Sequence, residues 1–285
     1  MRCWLFIGML SCLIAMIAVI IGIGEVMTGP ASTAVDSLSS DFPVEPVQIP
    51  LTADSSVSGW LARGARGGGV VLLVHSIRSN RLEMLSRARF LNKQGYGVLL
   101  IDLQAHGETP GKRITFGLRE SEDVEAAVAF LRKIFPSERI AAIGVSLGAA
   151  AIVLAKHALR LDAVVLESLH PTIEEAVENR LRLHLGEYGP VLLPLVLAQL
   201  VFYLDVPIDE LDPITRIGDL NAPLLLIAGS ADEHTKVPET ERLFAAARQP
   251  KDIWIVPGAG HFNMHSYAGR EYEERISDFL DRTLH

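Results

Sequence analysis

From residue 51 onward, short apolar runs alternate with longer stretches in which apolar residues recur every three or four positions. The runs are VSGWLA (57–62), VVLLVH (70–75), GVLLID (97–102), RIAAIG (139–144), DAVVLES (162–168), APLLLIAGS (222–230) and DIWIVPG (252–258). Several of them are apolar at nearly every position, the pattern of strands buried on both faces. The helical period appears in RLEMLSRARFLNKQG, which ends at Gly95, and in SEDVEAAVAFLRKIF, which Pro136 stops. In the second of these, Ser121 and the acidic first turn suit a helix N-terminus. A further helix is predicted from Ser146, and the last over REYEERISDFLDRTL. Strands alternating with helices imply right-handed βαβ units, hence an α/β fold with a mostly parallel sheet covered on both faces.

The first residues follow another pattern. Arg2 precedes CWLFIGMLSCLIAMIAVIIGIG, which is uncharged through Gly24. About 20 apolar residues span a bilayer as a helix, whereas a cleaved signal has a core of about 7–15. The run is apolar on all sides, which argues against a helix of the soluble core. Residues 1–24 are therefore expected to be an uncleaved membrane anchor. The alternative is a signal cleaved after STA, ending at Ala34, with secretion of the rest. Arg2 lies before the run; Glu25, Asp36 and Asp41 lie after it, with no Lys or Arg until Arg63. The positive-inside rule then places the main domain on the extracytoplasmic side. Residues 25–50, rich in Pro, Ser, Thr and Ala, read as a tether, and 51–285 as one domain.

Composition narrows the classes. With 285 residues, 49% of them hydrophobic, the chain supports one large core. Its net charge of −8 and lack of a basic run speak against nucleic acid as a partner. The only cysteines, Cys3 and Cys12, fall in the first apolar run, so the domain has no disulfide framework and no cysteine-ligated zinc.

In a parallel sheet, ligands bind beyond the carboxyl ends of the strands. The residues found there are His75, Ser76, Asp102, Ser146, Glu167, Ser168, Asp232 and His261: a nucleophile, bases and acids. Ser146 lies in Gly144-Val145-Ser146-Leu147-Gly148, between an apolar strand and a small-residue helix. A sharp strand-to-helix turn of this kind exposes a serine oxygen in a strained conformation, and the glycines avoid collisions with neighbouring backbone. The helix N-terminus favours negative charge developing at the serine.

With these landmarks, LLVHS, LLIDLQAHGET, IGVSLGAA, LLLIAGSADEHTKV and VPGAGHF, residues 51–285 resemble an α/β-hydrolase. The likeness is to the serine aminopeptidase and bacterial esterase-like branch. The resemblance implies a catalytic triad of Ser146, His261 as general base and Asp232 as the acid that orients it. His265 is the rival base; Glu167 and Glu233 are rival acids. An oxyanion hole would use the backbone N–H groups of Leu147 and Ile77. Many relatives have His-Gly where this chain has His75-Ser76, a departure that touches the oxyanion loop. His75, Asp102 and His106 are expected to be structural, and Arg78 and Arg81 to form a solvated helix face or meet an anionic substrate group.

About fifty residues between LESLHP and APLLLIAG are more than the core needs. They are expected to form a helical cap, about 171–218, that selects the substrate. It contains Arg180, Arg182 and His184, then GPVLLPLVLAQLVFYL (189–204), a run read as a lid helix, an acyl-chain wall or a surface touching the bilayer. The expected activity is hydrolysis of a carboxylic ester, thioester or amide of an apolar acyl substrate through an acyl-enzyme. No cofactor and no metal is implied. A peptidase of the same fold, a C–C-bond hydrolase or haloperoxidase using the same triad, and a non-catalytic binding protein are the rivals.

Overall fold

The seven apolar runs become seven strands of a single sheet, joined by an eighth that the pattern did not mark. In chain order they are β1 (Glu45–Pro50), β2 (Ser56–Ala62), β3 (Val70–Val74), β4 (Gly97–Ile101), β5 (Ile140–Val145), β6 (Ala163–Glu167), β7 (Leu224–Gly229) and β8 (Lys251–Val256). The computed structural model describes residues 11, 21–35, 42–261 and 263–284. Cys3, Cys12, most of the expected anchor and residues 36–41 of the expected tether lie outside the described residues.

Strand order across the sheet is β8-β7-β6-β5-β3-β4-β2-β1. The six strands from β8 to β4 are parallel; β2 pairs antiparallel with β4 and with β1. The order reverses at β3, which is flanked by β4 and β5. That switch point opens a crevice at the strand ends, where the turns after β3 and β5 meet.

The helices follow from the same periodicity. They are α1 (Leu85–Lys93), α2 (Glu120–Ile134), α3 (Leu147–Val153), α4 (Ile173–Leu185), α5 (Leu193–Leu204), α6 (Val237–Ala246), α7 (Met264–Ala268) and α8 (Arg270–Leu284). One apolar layer forms between the sheet and α2, α3 and α6; a second lies under α1 and α8. The helix α8 spans the predicted residues and buries Tyr272, Ile276, Phe279, Leu280 and Leu284 as a 3–4 stripe. The first turn of the predicted helix over 81–95 is 3₁₀, Arg81–Met84, because Asn80 accepts from the N–H of Leu82 and sets the start.

The expected tether departs from its reading. Residues 45–50 form the edge strand β1, so the folded domain begins before residue 51. Pro46 and Pro50 obscured the strand, yet an edge strand pairs on one side only and tolerates residues without an N–H. Residues 28–33 are docked as well: Thr28 and Ala31 hydrogen bond to Ile114 and Ala105, and Ala31–Ser32 pairs with His106–Gly107.

Between β6 and β7 the chain leaves the sheet to form α4, a 3₁₀ segment (Gly186–Leu192), α5 and short 3₁₀ turns. Residues 173–204 contain an 18-residue stretch of mean hydropathy 1.5, apolar enough by length and composition to cross a membrane. The fold bends them into a hairpin instead. At Gly189 the turn approaches α4 so closely that a Cβ would lie 2.2 Å from the Leu181 carbonyl oxygen. The hairpin buries Val177, Leu181, Val196, Leu200 and Leu204 against Phe116 and Leu118.

Candidate active site

Ser146 follows β5 with φ 50° and ψ −105°, a left-handed conformation that an L-residue holds only when its surroundings enforce it. Its N–H donates to the Glu167 carbonyl at 2.8 Å, and its carbonyl accepts from Ala150 at 3.0 Å. The flanking glycines are dictated by contact. A Cβ at Gly148 would lie 2.4 Å from the Val74 carbonyl oxygen, and one at Gly144 2.7 Å from the Ala149 nitrogen. The turn is thus pressed against the end of β3, and Leu147, first residue of α3, has an N–H with no intrahelical acceptor.

Ser146, Leu147 and Ile77 line one small cavity of about 20 Å³, together with His170, Phe116 and Met27. Its floor is the elbow; its roof is α4, through Ile173, Ala176, Val177 and Arg180. Asp232, after β7, is buried and receives four interactions at its carboxylate. The N–H groups of His234 and Thr235 donate to Oδ1 at 2.8 and 3.0 Å, the Thr235 hydroxyl to Oδ2 at 2.8 Å, and His261 Nδ1 meets Oδ2 at 2.8 Å. The His261–Asp232 pair is also an ion pair when the imidazole is protonated. Burial disfavours the Asp232 charge, but the His261 hydrogen bond and charge and the Thr235 donors outweigh it and hold the carboxyl at about 2. The structure therefore brings Ser146, Leu147 and Ile77 to one cavity, and Asp232 to His261.

The rivals are spoken for. Glu167 accepts from Arg87 Nε at 3.1 Å, Arg87 Nη2 at 2.6 Å and the Tyr272 hydroxyl at 2.6 Å, all buried beneath the sheet. Burial works against the Arg87 cation, but the Glu167 charge raises its pKa overall. His265 lies between Ser86 Oγ at 3.0 Å and Glu273 at 2.9 Å, packed on Phe90 and Tyr272 rather than at the rim of the site. Glu233 is exposed.

The loop after β3 is braced as expected. His75 Nδ1–H donates to the Ser76 carbonyl at 2.7 Å, and its Nε2 accepts from the Leu103 N–H at 3.0 Å. Burial, then the nearby His106, pushes its pKa down to about 3. Ser76 needs no glycine-like conformation, because the positive φ falls on Arg78, at 59°. Its N–H and hydroxyl both donate to Glu83 at 2.8 Å. Arg81 is neither solvated nor free for substrate: it is buried, bonded to Asp102 at 2.7 and 2.6 Å, and lies over the Trp60 ring at 4.5 Å. Arg78 is committed to carbonyls of Val26 and Gly29.

Two wall residues escaped the sequence reading. His170, two residues beyond the strand end at Ser168, is buried in the Ser146 cavity with Nε2 unpartnered among the described residues. Burial, then the charges of Arg180 and His261, hold it neutral with a pKa of about 3. Met27 comes from the segment read as a tether, and no local pattern marks a residue that docks 119 positions away from Ser146. Among the described residues no group of acidic, His or Cys side chains is arranged to hold a metal ion.

Comparison with known proteins identifies the family. The alpha/beta hydrolase family matches residues 71–275. An uncharacterized protein of Mycobacterium tuberculosis (strain H37Rv), Rv2307c, is 32% identical over 260 residues, 89% of this chain and 85% of that protein. Among solved structures, the Pyrococcus furiosus esterase Pf2001 superposes with a TM-score of 0.74 at 25% identity, covering 91% of this chain and 99% of the esterase. The Pyrococcus horikoshii acylaminoacyl peptidase shares the fold, with a TM-score of 0.65 at 17% identity over 85% of this chain and 42% of the peptidase. The chain belongs to the alpha/beta hydrolase family.

Proposed function

We propose that the protein is a membrane-anchored serine hydrolase that cleaves a carboxylic ester, or a related thioester or amide, through an acyl-enzyme. Ser146 Oγ attacks the carbonyl, and His261 accepts its proton and returns it to the leaving group. Asp232 fixes the His261 tautomer with Nδ1–H directed at its carboxylate and stabilises the imidazolium that forms. The N–H groups of Leu147 and Ile77 hold the oxyanion, aided by the N-terminus of α3. Water then repeats the sequence on the acyl-enzyme. The observation that carries this reading is the strained φ of a buried Ser146 that opens on a cavity. Such strain persists only where the surrounding structure enforces it, and at Ser146 it coincides with a wall of the cavity.

The esterase reading is favoured over the peptidase by coverage: the chain spans nearly all of a solved esterase but under half of the peptidase chain. Residues 1–24 act as the anchor and leave the domain on the extracytoplasmic side, with residues 171–218 as the cap. The test is turnover of nitrophenyl esters by the full chain in detergent, beside Ser146→Ala and His261→Ala. Loss in both variants, with fluorophosphonate labelling absent only in Ser146→Ala, supports the mechanism. Equal turnover by folded Ser146→Ala excludes it.

A further inference from the structure

The Ser146 cavity, at about 20 Å³, has room for little more than a water molecule. Beside it lies a second space of about 590 Å³, within the range of ligand pockets. The two share Met27, Ile77, Phe116, Val177 and Arg180 as lining residues, so they are immediate neighbours. One wall of the larger space is α4, through Val177, Leu181 and Leu185; the opposite wall is the end of the N-terminal apolar segment, through Gly22, Ile23, Val26 and Met27. We propose that this groove is the acyl-chain site, and that its occupant is a long fatty-acyl chain of a lipid drawn from the bilayer that holds the anchor. The proposal deepens the hydrolase reading and rests on it and on the anchor.

Three observations select this occupant. First, the N-terminal wall is fixed in place. Arg113 grips Glu25 at 3.0 and 2.9 Å, Arg78 binds the carbonyls of Val26 and Gly29, and Gln199 of α5 reaches the Ile21 carbonyl at 3.3 Å. Second, the groove runs along the helix that leads toward the anchor. From Met27, beside Ser146, to Gly22 is five residues, about 7.5 Å of helix. A chain lying there extends from the reacting carbonyl toward the lipid phase. Third, apolar exposure is concentrated on the two segments that also supply walls of the groove, the N-terminal segment and the α4–α5 hairpin. Nine of the eleven exposed large hydrophobic residues among the described ones lie on residues 183–202 or on the N-terminal segment, including Tyr188, Val191 and Phe202 at 86, 75 and 82% exposure. A patch of this kind on a water-facing protein marks a binding surface, and here it adjoins an apolar run long enough to span a bilayer.

The test uses the full chain in phosphatidylcholine vesicles that contain a palmitoyl phosphatidylcholine with a diazirine on its acyl chain. After photolysis, crosslinked peptides are mapped by mass spectrometry in wild type, Ser146→Ala and Gly22→Trp. Gly22 lines the groove and has open space where a side chain would stand, so an indole is accommodated there without displacing backbone; Val26→Trp serves as a second block. Crosslinks to the peptide carrying Val177 and Leu181 are expected in wild type and in Ser146→Ala, and at least fivefold fewer in either Trp variant. No crosslink to that peptide, or crosslinks that the Trp variants leave unchanged, overturns the proposal. A companion assay compares kcat/KM for dodecanoyl and butanoyl nitrophenyl esters; the ratio is expected to fall at least tenfold in Gly22→Trp. Crosslinking of α4 without any ester turnover would sink the nucleophile reading and keep the groove. Ser146-dependent turnover with no chain-length preference and no α4 crosslink would sink the groove and keep the hydrolase. A soluble acyl thioester that blocks the crosslink while bilayer lipid fails to form it would assign the chain to a soluble source and overturn the bilayer assignment.

Discussion

Replacing Glu167 by glutamine changes one atom's charge in the most buried ion pair of the protein. Its carboxylate accepts from three donors: Arg87 Nε and the Tyr272 hydroxyl at one oxygen, Arg87 Nη2 at the other. Both partners of the ion pair are at most 1% exposed. Glutamine preserves the shape but offers a single acceptor oxygen, so at least one Arg87 N–H or the Tyr272 hydroxyl faces an amide N–H. The guanidinium is then buried without a counter-charge, which costs about 3–5 kcal/mol. For a domain of this size, each kcal/mol moves the melting temperature by about 2–4 °C, so a fall of about 6–20 °C is expected. Thermal unfolding by circular dichroism measures it. Below the transition, esterase kcat/KM should stay within about threefold of wild type, because this cluster lies beneath the sheet and away from the Asp232–His261 pair. A shift under about 3 °C would refute the energetic argument. A hundredfold loss of turnover in folded protein would instead restore Glu167 as the acid.

Asp232→Asn, by contrast, is expected to lower kcat by about 10⁴-fold by losing the tautomer control of His261; a loss below tenfold in steady-state assays argues against its role. Gly148→Ala places a Cβ 2.4 and 2.7 Å from the Val74 and His75 carbonyl oxygens, so the elbow and the loop bearing Ile77 move apart by about 1 Å. A hundredfold or greater drop in kcat/KM is expected, with a stability loss of about 1–3 kcal/mol by denaturant titration; wild-type turnover would show that the elbow's position is not critical. Stability also falls with acid. Burial above all holds His75 and His170 at about 3 and His234 at about 4. The unfolded chain binds these protons near pH 6.5 and the native one does not, so stability is highest above pH 6.5. It drops as pH falls toward 4, by up to about 1.4 kcal/mol per pH unit for each fully differential histidine. Below about pH 3–4 the native histidines protonate too and this contribution levels off. Asp232, with its folded pKa near 2, adds stability that is present above about pH 4 and lost as pH falls through 2. A denaturation midpoint that stays flat from pH 7 to 5 would contradict the histidine assignment.

Sequence alone determined the elements and the position of the serine. Seven apolar runs predicted seven strands because a doubly covered parallel sheet leaves each strand apolar on both sides, a property read locally. Gly144-Val145-Ser146-Leu147-Gly148 was legible for the same reason: its chemistry lies within five residues. The candidates Asp232 and His261 were visible as polar residues closing strands, as were Glu167 and His75, and only the resemblance of their flanking motifs ranked them. What tertiary structure added is the partners, which come from distant segments: Arg87 lies 80 residues from Glu167, and Tyr272 105. The strand order that brings them together is a property of the whole sheet. It likewise turned Arg81 inward onto Asp102, set the positive φ at Arg78 rather than Ser76, and put His170 beside Ser146. The N-terminal segment is the clearest case. Its composition spoke of membrane and tether, while its docking, through Arg113 to Glu25 and Gln199 of α5 to Ile21, depends on an ion pair and contacts with segments distant in sequence.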